Sequence, residues 1–164
     1  MLTYNWASDL LALYLGSNQK TPKINTPKPV LHWQPPPKDF FLINTDASLV
    51  VGQPGYSLSV VIRYSEGSLA VAEVEFTPGC ISVLLAEAAA ILLGLQLALR
   101  WSIFKAKVGS DSHTIIQAFP QNANNHKDWG QLVQKAIHMR DSFQCLDFLF
   151  VARNCNNVAN SLAK

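Results

Sequence analysis

The amino-acid sequence predicts an α/β domain with a five-stranded mixed sheet that is flanked by helices. Three observations support this prediction: three strand-like runs follow one another, a long helical run comes next, and strands and helices then alternate. Strands joined by short turns pair antiparallel, whereas strands separated by a helix pair in parallel. The expected sheet therefore has an antiparallel half and a parallel half.

The first three strands are predicted from apolar or alternating runs that turn residues separate. These runs are Phe40–Asp46, Ser57–Tyr64 and Ser68–Phe76. Glu66 and Gly67 lie between the last two runs, as expected for a turn between antiparallel strands. These runs therefore predict three consecutive antiparallel strands.

The segment after Ser82 is predicted to form a long buried helix. Its leucine, isoleucine and alanine residues recur at helical spacing, and Ser82 is a suitable N-cap. The run Val83–Trp101 is also nearly long enough to span a bilayer. Because Glu87 and Gln96 interrupt it, we favour a buried core helix over a membrane span.

The rest of the chain is predicted to alternate between strands and helices. Pro120 is expected to end one helix, and a polar loop at residues 121–127 precedes the next. The predicted elements are a strand at Ala106–Ser110, a helix at Thr114–Phe119, a helix at Trp129–Met139, a strand at Leu146–Val151 and a final helix at Val158–Lys164.

Composition and charge exclude several classes of protein. Hydrophobic residues make up 49% of the 164 residues and charged residues 15%, which is unlike a disordered chain. A net charge of +2 permits nucleic-acid binding but gives it little support. The three cysteines are odd in number and form no CxxC pair, so neither a disulfide framework nor a zinc site is indicated. We expect a reducing intracellular compartment, nuclear or cytoplasmic, and no membrane partner.

The first 37 residues are interpreted as an N-terminal extension and proline-containing tether, and residues 38–164 as the domain. The extension ends in Pro35–Pro37, which cannot donate to a sheet and favour extended geometry. Its apolar patch at Leu10–Leu15 has no basic flank and follows Asp9, which argues against a signal peptide.

Three acidic residues occupy positions that an ordinary structural role explains poorly. Asp46 is expected to end the first strand, Glu87 lies within the most apolar helix, and Asp111 follows the fourth strand. A carboxylate among leucines and alanines is costly to bury without a cation or hydrogen-bond donors. The alternatives remain open for each residue singly: Glu87 on a solvent-facing first turn, and Asp46 and Asp111 as turn formers.

Five segments in order resemble the ribonuclease H type-1 family. More narrowly, they resemble a plant branch related to the ribonuclease H segment of non-LTR retrotransposons. The similarity covers residues 33–164, with the expected strand or helix beneath each motif. The segments are Trp33 with Pro35–Pro37 and Leu42–Ser48, Val60–Gly67, Leu84–Ala98, Gly109–Ile116, and Val151–Lys164.

This resemblance implies a metal-dependent endonuclease that hydrolyses the RNA strand of an RNA/DNA hybrid. Asp46, Glu87 and Asp111 fall on three of the family's four metal-binding carboxylates, and Asn160 replaces the fourth. The implied cofactor is Mg²⁺ or Mn²⁺ in a two-metal site, in which Asp46 bridges the ions and Asn160 orients water or binds weakly. The amide of Asn160 lacks the charge of a carboxylate, which places metal affinity and activity in question.

Nucleic acid is thus the expected partner, and a monomer is the expected state. Asn44 and Ser48 are weaker candidates for substrate contacts because they flank Asp46. His126 in the polar loop is more simply explained as solvated, and Trp129 and Trp101 as core residues. The basic residues Arg100, Lys105 and Lys107 have two interpretations, phosphate contact or closure of a helix end.

Two rival functions remain open. The first is a catalytically weakened or inactive module of the same fold that binds nucleic acid or protein, for which Asn160 is the best argument. The second is another nuclease, such as an exonuclease or resolvase, that also carries carboxylates on the first and fourth strands. The ordered similarity from Trp33 onward argues against the second.

Overall fold

The computed structural model describes residues 33–49, 52, 54–120 and 127–164. These residues form one five-stranded sheet in the order β3-β2-β1-β4-β5, in which β1, β2 and β3 are antiparallel and β4 and β5 run parallel to β1. The predicted fold class is confirmed. The elements are β1 Phe41–Leu49, β2 Tyr56–Arg63, β3 Leu69–Thr77, α1 Val83–Arg100, β4 Lys105–Ser110, α2 His113–Ala118, α3 Gly130–Met139, β5 Cys145–Phe150 and α4 Asn157–Ala163.

Strand β1 lies at the centre of the sheet and is longer than predicted. It continues to Leu49 because Ala47, Ser48 and Leu49 still pair with β2. Its pairing with β4 stops earlier, at Asn44 opposite Gly109. The prediction that Asp46 ends the strand is therefore wrong. Asp46 lies in the part of β1 that pairs with β2 but no longer with β4.

Helix α1 packs against one face of the sheet and supplies more buried core residues than any other described element. Ser82 caps it as predicted, because the Ser82 hydroxyl accepts a hydrogen bond from the Leu85 amide at 3.1 Å. The helix approaches β1 most closely at Gly94, where a Cβ atom would lie 2.9 Å from Ile43 Cγ2 and 3.0 Å from Thr45 Cγ2. By length and composition alone α1 could cross a membrane, yet more than half of its residues are buried inside this fold.

Helix α4 packs on the opposite face, where buried polar groups hold it to the sheet. The Ser59 hydroxyl donates to the Ala159 carbonyl at 2.7 Å, and Asn156 Nδ2 donates to the Thr45 carbonyl at 2.8 Å. Val158, Ala159 and Leu162 add apolar contacts with Val61 of β2. These bonds fix the C-terminal segment to β1 at Thr45 and to β2 at Ser59, the residue opposite Asp46.

The last residues of the predicted tether also contact the domain. Arg63 lies over the Trp33 ring at 5.2 Å from its centroid, and Pro36 is buried. The predicted boundary at residue 37 stays a prediction, since most of the extension, like His126 in the polar loop, lies outside the described residues.

The two tryptophans expected in the core have different environments. Trp129 is buried, as predicted. The core placement of Trp101 is wrong: it follows the last turn of α1 and is 52% exposed. Helical periodicity overestimates burial there because the helix has already ended.

Candidate metal centre

The three predicted carboxylates converge at one end of the sheet. One carboxylate oxygen each from Asp46, Glu87 and Asp111 lies within 4.8 Å of the others. The topology explains this meeting. Asp46 projects from β1 beyond its pairing with β4, Asp111 directly follows β4, and Glu87 lies in the first turns of the helix packed across them.

A local hydrogen bond holds the turn that carries Asp111. The Ser112 amide donates to Ser110 Oγ at 3.1 Å, and Ser110 is buried at the end of β4. Such serine turns give the chain a defined exit from a strand. The backbone around Asp111 is thereby positioned before any ligand binds.

Burial and mutual repulsion make the cluster electrostatically unfavourable in the absence of a cation. Asp46 is 5% exposed and Glu87 7%. Burial, together with the charge of Asp111, raises the pKa of Asp46 to about 7. Burial, followed by the charges of Asp46 and Asp111, raises the pKa of Glu87 to about 8. Close acidic groups that resist ionisation in this way are typical of sites that bind a cation.

Glu87 gives the most direct indication that a ligand belongs in the cluster. Its Oε2 atom is buried and has no hydrogen-bond partner, so the solvent-facing alternative for this residue is excluded. A buried carboxylate oxygen without a partner is costly, and a hard divalent cation would satisfy it. The all-oxygen donor set of the three residues fits Mg²⁺ or Mn²⁺.

The carboxylates open into a cavity of about 480 Å³. Its wall includes Ser48, which was predicted as a substrate contact, and Arg153, which was not predicted. Arg153 begins the short 3₁₀ turn between β5 and α4. Its positive charge lowers the pKa of both Asp46 and Glu87, opposing the effect of burial.

Two predicted site residues lie elsewhere. Asn44 is 2% exposed within the sheet and beside Gly109, and it does not line the cavity. Asn160 is 5% exposed in α4 and does not line the cavity either. The residue before it, Ala159, accepts a hydrogen bond from Ser59, which pairs with Asp46 across β1 and β2. Its helix therefore packs against the strand segment that carries Asp46.

Arg100 and Lys107, which were predicted either to contact phosphate or to close a helix end, both lie outside the cavity of the carboxylates. The Arg100 side chain lies in the last turn of α1, as the helix-end interpretation requires, and pairs with Glu73 of β3 outside the metal centre. Lys107 lines a different cavity beside Trp33 and Pro35–Pro37. Sequence reasoning missed Arg153, although it is the first basic residue in the motif at Val151–Lys164 and stands seven positions before Asn160.

Comparison with known families identifies the domain. A family described as reverse transcriptase-like matches residues 44–164. The chain belongs to this family. The match begins within β1, at Asn44, and continues through the C-terminal motif, so it includes all three clustered carboxylates and Asn160. No curated protein matches the sequence significantly.

Solved structures share the fold at low sequence identity. RNase H1 from the halophilic archaeon Halobacterium salinarum NRC-1 is 17% identical, with a TM-score of 0.69 over 76% of this chain and 94% of that one. The N-terminal RNase H domain of Rv2228c from Mycobacterium tuberculosis is 19% identical, with a TM-score of 0.68 over 76% and 90%. LC11-RNase H1, isolated from compost and solved in complex with an RNA/DNA hybrid, is 19% identical, with a TM-score of 0.66 over 74% and 92%. The chain thus has an RNase H-type fold, as the resemblance implied.

Proposed function

We propose that this domain is a divalent-metal-dependent endonuclease that hydrolyses the RNA strand of RNA/DNA hybrids. The main support is the cluster of three carboxylates, whose oxygens lie within 4.8 Å of one another in an RNase H-type fold. One buried oxygen of this cluster, on Glu87, has no hydrogen-bond partner. Acidic clusters of this kind bind the ions that hydrolyse phosphodiesters in nucleases.

The proposal assigns metal binding to Asp46, Glu87 and Asp111. Bound Mg²⁺ or Mn²⁺ would lower the pKa of a water molecule and stabilise charge on the leaving oxygen. The three carboxylates would hold the ion at the end of the sheet, and burial of Asp46 and Glu87 would exclude bulk water from their inner sides. Asn160, buried in α4 outside the cavity wall, would add no charge to the site.

The proposed substrate rests on the relatives and on the cavity. LC11-RNase H1 was solved with an RNA/DNA hybrid, and the foamy viral protease-reverse transcriptase, with a TM-score of 0.60 at 14% identity, was also solved with one. Hybrid recognition depends on 2′-hydroxyls and backbone shape more than on base sequence. Ser48 on the cavity wall is the proposed polar contact with the substrate. A substrate contact by Asn44 stays a prediction, because Asn44 is buried and does not line the cavity.

A weakened or inactive binding module is the second candidate function. It is favoured by Asn160, which stands in α4 against the strand that carries Asp46 and supplies no negative charge. In that case the fold would be retained for nucleic-acid or protein binding, while metal affinity would be too low for turnover.

Cleavage assays distinguish the two candidates. Purified protein is incubated with labelled RNA/DNA hybrid, duplex RNA and duplex DNA in Mg²⁺ or Mn²⁺, alongside Asp46→Asn and Asp141→Asn. Asp141 is an exposed acid remote from the cluster and provides the matched control. We expect cutting of the hybrid only, lost in Asp46→Asn and retained in Asp141→Asn. Cleavage that appears only after Asn160→Asp would support the weakened module, and its continued absence would rule out the enzyme.

We also propose that the domain works as a monomer in a reducing intracellular compartment. None of its three cysteines forms a disulfide bond. The plant and retrotransposon origin stays a prediction from the sequence resemblance.

A further inference from the structure

Arg153 is a charged residue of the cavity that the metal-binding trio does not use. It is exposed and lines the same cavity as Asp46, Glu87 and Asp111. Among residues 33–49, 52, 54–120 and 127–164, no ion pair within 4 Å joins it to a carboxylate. Its guanidinium group is therefore near the cluster without being held by it.

The backbone that carries Arg153 is fixed on the sheet. Asn156 Nδ2 bonds the Thr45 carbonyl, one residue before Asp46, and the Asn156 amide donates to the Arg153 carbonyl at 3.1 Å. Asn156 is fully buried. These bonds tie the position of Arg153 to the strand that carries the central carboxylate.

We propose that Arg153 binds a backbone phosphate of the nucleic-acid strand beside the metal centre. This inference rests on the proposed function and assigns it a substrate-binding residue. A guanidinium group presents paired donors that match phosphate oxygens, and it keeps its charge at any working pH.

The charges at the site support this role. The three carboxylates offer three negative charges when ionised, and one divalent cation neutralises two of them. Without nucleic acid, the charge of Arg153 opposes entry of the metal ion, since both are attracted to the same carboxylates. A phosphate that binds the ion gives Arg153 an anion of its own, so Arg153 is expected to disfavour metal binding alone and to favour substrate binding.

Arg153→Gln tests these two opposite effects separately. Titration calorimetry with Mn²⁺, without nucleic acid, is expected to show metal binding tightened about two- to fivefold. Fluorescence anisotropy with labelled hybrid in Ca²⁺, with the hybrid checked for integrity on a gel, is expected to show binding weakened about tenfold. The slope of log affinity against log salt should become shallower by about 1. Arg153→Lys keeps the charge but not the paired donors, so its metal affinity should match the wild type while its hybrid affinity is intermediate.

Arg140→Gln is the matched control, because Arg140 is exposed and lines a cavity without site residues. It should leave metal affinity unchanged. Metal and hybrid binding that weaken together in Arg153→Gln would indicate a structural role and overturn the inference. Unchanged hybrid affinity and salt slope, in a wild type that cleaves the hybrid, would overturn it while leaving the proposed function intact. A wild type that binds no hybrid would overturn both.

Discussion

Helix α1 meets strand β1 in two places that differ sharply in chemistry. Around Gly94 the contact is apolar and so close that a Cβ atom would overlap Ile43 and Thr45. Seven residues earlier, the same helix presents Glu87 to the cluster that contains Asp46. The first contact stabilises the fold, whereas the second confines like charges at a cost in stability. Two helical turns thus separate a stabilising contact from the candidate metal centre.

The largest expected effect comes from Glu87→Gln, which removes the charge and keeps the shape. We expect hybrid cleavage to fall at least about 100-fold, since loss of groups that merely support metal ligands already costs 10–100-fold. The metal-free variant should nevertheless unfold at higher urea concentration at pH 8 than the wild type. Cleavage rates and urea unfolding in EDTA measure the two effects. A variant less stable than the wild type would show that Glu87 stabilises the fold and would remove the contrast between the two contacts.

Gly94→Val tests the other contact. The added carbon atoms have no room beside Ile43 and Thr45, so we expect a loss of about 3 kcal/mol in the free energy of unfolding. Gly94→Ala should cost less, because its better helix propensity offsets about 1 kcal/mol. Gln96→Val, on the exposed face of the same helix, is the control. Urea denaturation gives all three values, and equal stabilities for Gly94→Val and Gln96→Val would contradict close packing at Gly94.

The sequence predicted the helix and strands that make both contacts and the meeting of the carboxylates, but it did not predict the close approach at Gly94. The spacing of leucines and alanines after Ser82 predicted α1, and turn residues predicted the antiparallel strands, because these patterns reflect local geometry. The convergence of Asp46, Glu87 and Asp111 was expected from strand ends, a helix and the family resemblance. All three contribute to a single cluster in the structure.

What the sequence did not predict depends on neighbours that are distant in the chain. The extension of β1 to Leu49 depends on pairing with β2, and the burial of Asn44 depends on Gly109 and the segment after β5. Arg153 has no periodic signal, since it lies in a short turn between β5 and α4. Its role could be inferred only when the cavity brought it beside the carboxylates.

The pH dependence of the metal-free protein sharpens the contrast further. The pKa values of Asp46 and Glu87 rise from 3.8 and 4.5 to about 7 and about 8, so the folded state binds more protons than the unfolded state between these limits. The contribution of these bound protons to the free energy of unfolding is fully present below about pH 4 and is lost as the pH rises toward 8. We expect a loss of at least about 2 kcal/mol in EDTA between pH 5 and pH 8.5, since each pKa unit corresponds to about 1.4 kcal/mol.

Urea unfolding at several pH values in EDTA measures this loss, and Mn²⁺ should restore stability at the upper end. Glu87→Gln should flatten the profile, whereas Gly94→Ala should shift it without changing its slope. A wild-type profile as flat as that of Glu87→Gln would mean that the cluster does not carry the predicted repulsion.

The smallest expected effect is at Ser82, which caps the end of α1 that carries Glu87. Ser82→Ala removes the bond from the Leu85 amide and should cost about 1 kcal/mol, whereas Ser82→Thr keeps the hydroxyl and should cost less. Ser82 also donates to Asp128 at 2.8 Å, so the substitution loosens the first turn from two sides. Amide hydrogen exchange should therefore accelerate at residues 84–87 but not at residues 93–97, with a parallel loss of Mn²⁺ affinity. Equal acceleration in both stretches would mean that α1 opens as one unit, and that its functional and stabilising contacts are not energetically separate.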